Sequence, residues 1–236
     1  MLRKTYGTVI NSNRDTITLS NHYGTYISVT NAKGEFKFVE ELKYPDFFNL
    51  NIRGYNLTLF LFAGDTLEMN CNINDFLNSI DFKGEKAELN KNLIFLSSGC
   101  VAPQFSLKNI NGELVKLSDF KGKYVYIDVW NSGCRPCFKE FHKMEELIEK
   151  YDDKNIVFIG ISLDRNGDTW KSTAERKDLK GIQLFGEGWK SDFAKNYFIM
   201  FNPRFILIDK NQKILYLSAP RPSGNIEQIF DKLTDL

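Results

Sequence analysis

The chain has 236 residues, of which 42% are hydrophobic and 14% aromatic, and this content supports a packed core and excludes an intrinsically disordered protein. Lys and Arg number 31 against 30 Asp and Glu, which leaves a net charge of +1. Without a long block of like charge, nucleic acid is not expected as a partner. The sequence also contains no apolar run of the length that a membrane span or a secretory signal needs. Two domains are expected at this length.

Residues 1–82 are predicted to form a small all-β sandwich. Their segments are short, rich in β-branched and aromatic residues, and separated by turn signals. The turn signals are Asn31-Ala32-Lys33-Gly34, Arg53-Gly54 and Ala63-Gly64-Asp65. Residues 83–99 are predicted to be a linker helix, because good helix formers there are followed by a glycine. Nothing in this half indicates catalytic chemistry, so its role stays open.

Residues 100–236 are predicted to form an α/β domain, because strand patterns now alternate with helical ones. KYVYIDVW is a continuous apolar run, which is typical of a strand buried on both faces. NIVFIGISL, RFILID and KILYLS are the further strands. The predicted helices are Phe138–Tyr151, Asp168–Leu179, Ser191–Tyr197 and Asn225–Leu233.

Cys134 and Cys137 form the one cysteine motif of the chain, between the apolar strand and the first of these helices. A thiolate in the first turn of a helix lies at the positive end of the helix dipole, which lowers its pKa and makes it nucleophilic. Cys137 lies on the same helical face, close enough to attack a mixed disulfide formed by Cys134. The spacing therefore predicts a nucleophile and a resolving thiol.

Three neighbouring residues are predicted to shape this pair. Pro136 is tolerated in a first helical turn and stiffens it. Arg135 adds positive charge beside Cys134, and a guanidinium near the sulfur would favour the thiolate. Asp128 is a carboxylate in a buried strand, where burial raises its pKa, so it could exchange a proton with Cys137. The alternative is that Asp128 caps a neighbouring backbone group at the end of its strand.

A chance or purely structural pair of cysteines and a zinc site are the alternatives, and a zinc site needs four ligands, usually in two close pairs. His22 and His142 are single and far apart in sequence, and Cys71 and Cys100 are interpreted as buried or incidental thiols. We therefore expect neither a metal nor an organic cofactor.

The octet WNSGCRPC, from Trp130 to Cys137, resembles the W-x-x-x-C-x-P-C motif of the thioredoxin superfamily, and more narrowly of its TlpA/ResA-like thiol-disulfide oxidoreductases. The segments APQFSL, NGELVKLSDFKGKYVYIDVW, FIGISLDRNGDTW and FNPRFILIDKNQKI match in order, so the resemblance spans Val101 to Leu236. It implies a thioredoxin fold, a central mixed sheet flanked by helices. The strand-rich half before it resembles the β-sandwich of Bacteroidetes-type envelope proteins.

The resemblance also implies that Pro203 is a cis-proline that faces the cysteines and that its neighbouring backbone pairs with a bound substrate chain. Two departures bear on substrate preference: Gly133 stands where a second tryptophan is common, and Asn202 where a β-branched residue is common. Trp130 is a candidate to shield the disulfide, with packing as a core aromatic the alternative.

The function expected from these residues and this resemblance is exchange of disulfides with partner proteins, as a reductant in the periplasm or cell envelope. Its partners would be a protein disulfide or dithiol and an upstream redox donor. A thiol peroxidase is one rival, although Asn131 stands where such an enzyme needs a hydroxyl, three residues before the reactive cysteine. A redox-inactive binding or adaptor protein is the other.

Overall fold

The computed structural model describes residues 2–21, 24–41, 45–62, 66–84, 86–233 and 236. The chain divides into two compact units, Met1–Ser98 (unit 1) and Gly99–Leu236 (unit 2). His22, Tyr23 and the predicted turn Ala63-Gly64-Asp65 lie outside the described residues.

The described residues of unit 1 form two four-stranded sheets and two short α-helices. Its strands are β1 Leu2–Ile10, β2 Thr16–Asn21, β3 Gly24–Val29, β4 Glu35–Glu41, β5 Asp46–Ile52, β6 Tyr55–Leu61, β7 Thr66–Asn72 and β8 Asp81–Lys83. Its helices are α1 Phe76–Ser79 and α2 Ala87–Leu93. One sheet has the order β4-β1-β7-β8 and the other β3-β2-β5-β6. One buried apolar cluster takes side chains from both sheets, so the predicted all-β sandwich is confirmed.

The segment predicted as a linker contains α2, which lies against the edge strand β6. Asn90 of α2 is buried and pairs with both backbone groups of Phe60: its Oδ1 accepts from the Phe60 N–H at 2.8 Å, and its Nδ2 donates to the Phe60 carbonyl at 3.3 Å. An edge strand presents unpaired backbone groups, and Asn90 satisfies two of them.

Unit 2 is a seven-stranded mixed sheet with the order β10-β9-β13-β12-β11-β14-β15. Its strands are β9 Ser106–Asn109, β10 Leu114–Lys116, β11 Tyr124–Trp130, β12 Ile156–Ser162, β13 Ile182–Phe185, β14 Arg204–Ile208 and β15 Ile214–Tyr216. Its helices are α3 Arg135–Lys150, α4 Gly167–Arg176, α5 Asp192–Asn196 and α6 Ile226–Phe230. The predicted mixed sheet with flanking helices is confirmed.

The apolar run KYVYIDVW forms the strand on which the cysteine motif depends. All seven residues of β11 are buried, and β11 lies inside the sheet, parallel to β12 on one side and antiparallel to β14 on the other. The helix after it begins at Arg135, earlier than the predicted Phe138. Pro136 permits this start, since the first turn of a helix needs no N–H from that position.

Candidate functional site

The polar bend between β11 and α3 ends at Cys134, which is the N-cap of α3. Asn131 shapes this bend: its Oδ1 accepts from the Gly133 N–H and its carbonyl from the Cys134 N–H, both at 3.0 Å. At the helix start, the Cys134 Sγ accepts a hydrogen bond from the Cys137 N–H at 3.1 Å. The two cysteines form a disulfide, with their Cα atoms 5.3 Å apart.

The surroundings of the two sulfurs differ in exposure. Cys137 is fully buried, whereas Cys134 is 6% exposed and lies at the N-terminal end of α3. Arg135 and Pro136, the first two residues of α3, are exposed. In the reduced form the Cys134 thiolate would face the positive end of a 16-residue helix and its unpaired N–H groups, which favours the ionised thiol. The arrangement supports an attacking sulfur at Cys134 and a protected one at Cys137.

A carboxylate from the neighbouring strand end holds the bend in place. Asp164, just after β12, accepts from the Ser132 backbone N–H at 3.1 and 3.0 Å and from the Ser132 hydroxyl at 2.6 Å. The hydroxyl of Ser162 donates to the same carboxylate at 2.8 Å. Sequence reasoning missed Asp164, although an acid directly after a strand that is parallel to β11 lies at the same sheet edge as the motif.

Trp130 closes β11 and is fully buried. It belongs to one apolar cluster with Cys134, Cys137 and Trp170 of α4. Its ring meets Phe141 of α3 edge to face, with ring centroids 5.5 Å apart. Trp130 is therefore both a core aromatic and part of the apolar surroundings of the disulfide.

Asp128 lies two residues before Trp130 and is 4% exposed. Burial raises its pKa well above the usual value, and the nearby Glu140 carboxyl group raises it further. Its Oδ1 has no hydrogen-bond partner among the residues that the structure describes, so this oxygen caps no described backbone group. The carboxyl group thus favours the protonated form far above the pH at which an exposed Asp ionises.

Glu140 is a second buried acid that sequence reasoning missed. It lies on α3 one turn after Cys137 and is 5% exposed. The Ser223 backbone N–H and hydroxyl donate to its two carboxylate oxygens at 3.0 and 2.9 Å. Within the charged run of α3, only its helical position three residues after Cys137 could have indicated an inward orientation.

The peptide bond between Asn202 and Pro203 is cis, as the resemblance implied. Pro203 is buried and comes directly before β14, whose first residue, Arg204, pairs with Val129 of β11. Pro203 therefore lies level with the end of β11, from which the cysteine bend departs.

Cys71 and Cys100 do not belong to the apolar cluster that contains the disulfide. Cys71 is buried in the core of unit 1, where burial raises the pKa of its thiol to about 12. In the described ranges, no group of three or more His, Cys, Asp or Glu side chains is arranged to hold a metal ion. No helix in the described part of the chain has the length and apolar character to cross a bilayer.

Comparison with known proteins identifies the family. The sequence matches the AhpC/TSA family over residues 98–217, which is more than half of the chain and includes the cysteine motif. The chain belongs to the AhpC/TSA family. A relative of this AhpC/TSA protein is the thiol-disulfide oxidoreductase ResA of Bacillus thuringiensis subsp. konkukian, which is 30% identical over 153 residues, covering 64% of this chain and 82% of the relative.

Solved structures place this AhpC/TSA protein among thioredoxin-like folds. The thioredoxin domain of a thiol-disulfide oxidoreductase from Bacteroides vulgatus is 31% identical, with a TM-score of 0.52, and covers 57% of this chain and 97% of that domain. A thiol-disulfide oxidoreductase from Bacteroides fragilis is 29% identical, with a TM-score of 0.51, over 56% of this chain and 99% of that protein. With the cysteine pair in place, the chain is a thiol-disulfide oxidoreductase, which confirms the predicted fold and activity.

Proposed function

We propose that the protein reduces disulfides of partner proteins, with Cys134 as the attacking thiolate and Cys137 as the resolving thiol. The observation that carries this assignment is the Cys134 Sγ at the start of α3, where it accepts the Cys137 N–H. The Cys134 thiolate attacks one sulfur of the partner disulfide, and the partner's other sulfur leaves as a thiolate. Cys137 then attacks the Cys134 sulfur, which releases the reduced partner and forms the disulfide seen here.

Asp128 is proposed to accept the proton of Cys137 during the resolving step. Cys137 is fully buried, so its proton needs an acceptor inside the protein. Asp128 is buried on β11, in the strand that carries Trp130 into the cysteine cluster, and its raised pKa suits a group that takes and returns a proton.

The residues around the pair are assigned supporting roles. The position of Pro203, directly before β14 and level with the end of β11, supports a role in pairing with the bound substrate chain, with Asn202 contributing to substrate preference. Trp130 shields the disulfide, and Pro136 stiffens the first turn of α3.

Arg135 is proposed to favour the Cys134 thiolate from the exposed start of α3. Because stabilising the thiolate stabilises the reduced form, the disulfide becomes a better oxidant. The Arg135→Ala variant should therefore have a more negative reduction potential, measured in glutathione or dithiothreitol redox buffers. A potential equal to that of the wild type would show that Arg135 does not favour the Cys134 thiolate.

The partners are proposed to be a protein disulfide on one side and an upstream dithiol donor on the other, in the periplasm or cell envelope. Support comes from the thiol-disulfide oxidoreductases among the relatives, named ResA, and from the resemblance of the motif to envelope proteins. A reduced protein must receive two electrons per turnover, which the donor dithiol supplies as it becomes a disulfide.

Trapping tests this assignment. The Cys137→Ser variant lacks the resolving thiol, so it should accumulate mixed disulfides through Cys134 that mass spectrometry can name. The Cys134→Ser variant is the matched control, since it keeps a buried cysteine and should trap nothing. Trapping by Cys134→Ser alone would reverse the assigned roles, and equal trapping by both variants would show that either cysteine can attack.

Activity assays separate the rivals. Wild-type protein, reduced beforehand, should cleave insulin disulfides, and Cys134→Ser should lower the rate by at least about a thousandfold, since the nucleophile is gone. Consumption of hydrogen peroxide at a comparable rate would instead support a thiol peroxidase. Intact insulin disulfides would support an adaptor.

A further inference from the structure

The buried Asp128 is one of three residues that lie side by side on three neighbouring strands of the unit 2 sheet. Asp128 of β11 pairs with Gly160 of β12, and Gly160 pairs with Gln183 of β13. Both pairings are parallel, so the side chains of the three positions point to the same face of the sheet. Trp130, two residues after Asp128, shares that face.

Gly160 leaves a gap in the middle of this row. A Cβ atom placed there would overlap the Gln183 amide, whose Cδ and Nε2 would lie 2.8 Å away. The missing side chain therefore lets Gln183 extend over β12 towards Asp128. The Gln183 Nε2 donates to the Lys180 carbonyl at 2.7 Å, which fixes the orientation of the amide. The Oε1 of the same amide is its atom nearest to Gly160.

A small cavity lies next to Gly160, between the sheet and α3. Its polar wall contains Asp128, Trp130 and Gln183, and its apolar wall contains Phe141 and Met144. The space open to the centres of water molecules is about 20 Å³, and one water needs roughly 10–15 Å³. The cavity is large enough for one ordered water.

Three buried polar atoms of this wall have no hydrogen-bond partner in the described part of the chain: Asp128 Oδ1, Gln183 Oε1 and Trp130 Nε1. The first two are acceptors when Asp128 is ionised, and the third is a donor. A water molecule has two hydrogens to donate and two lone pairs to accept with. A water in the cavity within reach of all three atoms would satisfy each of them, and buried waters typically make about three hydrogen bonds.

We propose that this cavity binds an ordered water that donates to Asp128 and Gln183 and accepts from Trp130, and that Gln183 thereby sets the proton affinity of Asp128. Gln183 is a positioning residue, which acts through the water. The inference rests on the proposed role of Asp128 for its link to the reaction. The proton that Asp128 takes from Cys137 passes to the water and then to solvent at the exposed rim, where Lys180 lies.

The Gln183→Leu variant tests the inference. Leucine keeps much of the volume and removes the amide oxygen, so the water loses a partner and the ionised Asp128 loses a hydrogen bond. The ionisation constant of Asp128, followed by carboxyl-carbon NMR in the oxidised protein, should fall about tenfold. Tyr126 of β11, Glu140 and Glu145 of α3 and Lys180 before β13 are unchanged in the variant, so their charges cannot explain such a shift.

Two further variants sharpen the test. Gly160→Ala should push the Gln183 amide aside and change the Asp128 ionisation in the same direction, without removing any polar group. Gln104→Leu is the matched control, because Gln104 bonds to Gln212 and takes no part in the cavity wall. It should leave the ionisation of Asp128 unchanged.

A high-resolution crystal structure of the oxidised protein should show one water within hydrogen-bond distance of all three atoms, and lose it in Gln183→Leu. A dry cavity in the wild type, or the same Asp128 ionisation in Gln183→Leu as in the wild type, overturns the inference.

Insulin reduction separates this inference from the proposed function. In an Asp128→Asn background, adding Gln183→Leu should slow insulin reduction no further. If Asp128→Asn alone reduces insulin at the wild-type rate, the assigned role of Asp128 fails while the water site, seen in the crystal and by NMR, stands.

Discussion

Units 1 and 2 differ in how completely their buried polar side chains are paired. In unit 1, Thr30 and Asn90 are buried and hydrogen-bonded to backbone or side-chain partners. Each buried side-chain nitrogen or oxygen without a partner in the described ranges belongs to unit 2, and atoms of Asp128 and Trp130, on the strand before the disulfide, are among them. Unsatisfied buried groups cost stability, and they concentrate where a protein uses them. In the described ranges the unpaired buried polar atoms therefore lie in the unit that carries the disulfide.

The largest effect on stability should come from the core of unit 1. Leu50 of β5 is fully buried between the two sheets, so Leu50→Ala should lower the free energy of unfolding of unit 1 by about 2–5 kcal/mol. Insulin reduction should be unchanged. All three tryptophans, Trp130, Trp170 and Trp189, belong to unit 2, so hydrogen exchange can follow unit 1 while fluorescence follows unit 2.

Ile27→Ala is the control, because Ile27 is 68% exposed on β3 and should change stability by less than about 0.5 kcal/mol. A loss of insulin reduction in Leu50→Ala would show that unit 2 depends on unit 1 and would break the comparison.

Asn90→Ala should have the next largest effect. It leaves both backbone groups of Phe60 without their partner, which should cost about 1–3 kcal/mol in the unfolding of unit 1. Denaturant unfolding followed by hydrogen exchange measures this cost. Asn78→Ala, which removes an exposed hydrogen bond to Asp75, should cost far less; equal costs would mean that the pairing with β6 contributes little.

Asp128→Asn should change how the stability of unit 2 depends on pH. The folded pKa of Asp128 is raised, so above the usual value of 3.8 the folded state binds more protons than the unfolded state. Wild-type stability should therefore fall as pH rises through that window, by up to about 1.4 kcal/mol per pH unit. The variant should lack this slope, measured by tryptophan fluorescence during urea unfolding. The control variant Asp152→Asn, at an exposed position, should keep this slope. A slope in Asp128→Asn equal to that of the wild type would show that Asp128 does not hold the extra proton of the folded state.

Ser132→Ala should have the smallest effect. It removes the hydroxyl bond to Asp164 and keeps the backbone N–H bonds, so unit 2 should lose about 1 kcal/mol. The loosened bend should also raise the rate at which iodoacetamide alkylates reduced Cys134. Ser172→Ala, on the exposed side of α4, should alter neither quantity. An unaltered alkylation rate in Ser132→Ala would show that the bend is held by other contacts.

Local sequence patterns were sufficient for much of the site. The run that forms β11, the proline in the first turn and the cysteine spacing all act within one strand and one helix, so they predicted the N-terminal position of Cys134. The start of α4 was predicted at Asp168, yet Asn166 caps it by accepting from two N–H groups, and the helix begins at Gly167. Capping depends on a side-chain rotamer that periodicity does not reveal.

The sequence by itself determined the redox pair, the strands β11, β12, β14 and β15 with the helices of unit 2, and the sandwich character of unit 1, because hydrophobic period and turn chemistry are local properties. The short strands β9, β10 and β13 were not predicted. Only the tertiary structure decided that Glu140 lies near Asp128, that Asp164 holds Ser132, and that Gln183 reaches over Gly160. These contacts arise from strand register and helix packing between residues far apart in the chain. Such geometry is fixed by the whole fold, since no single segment carries it.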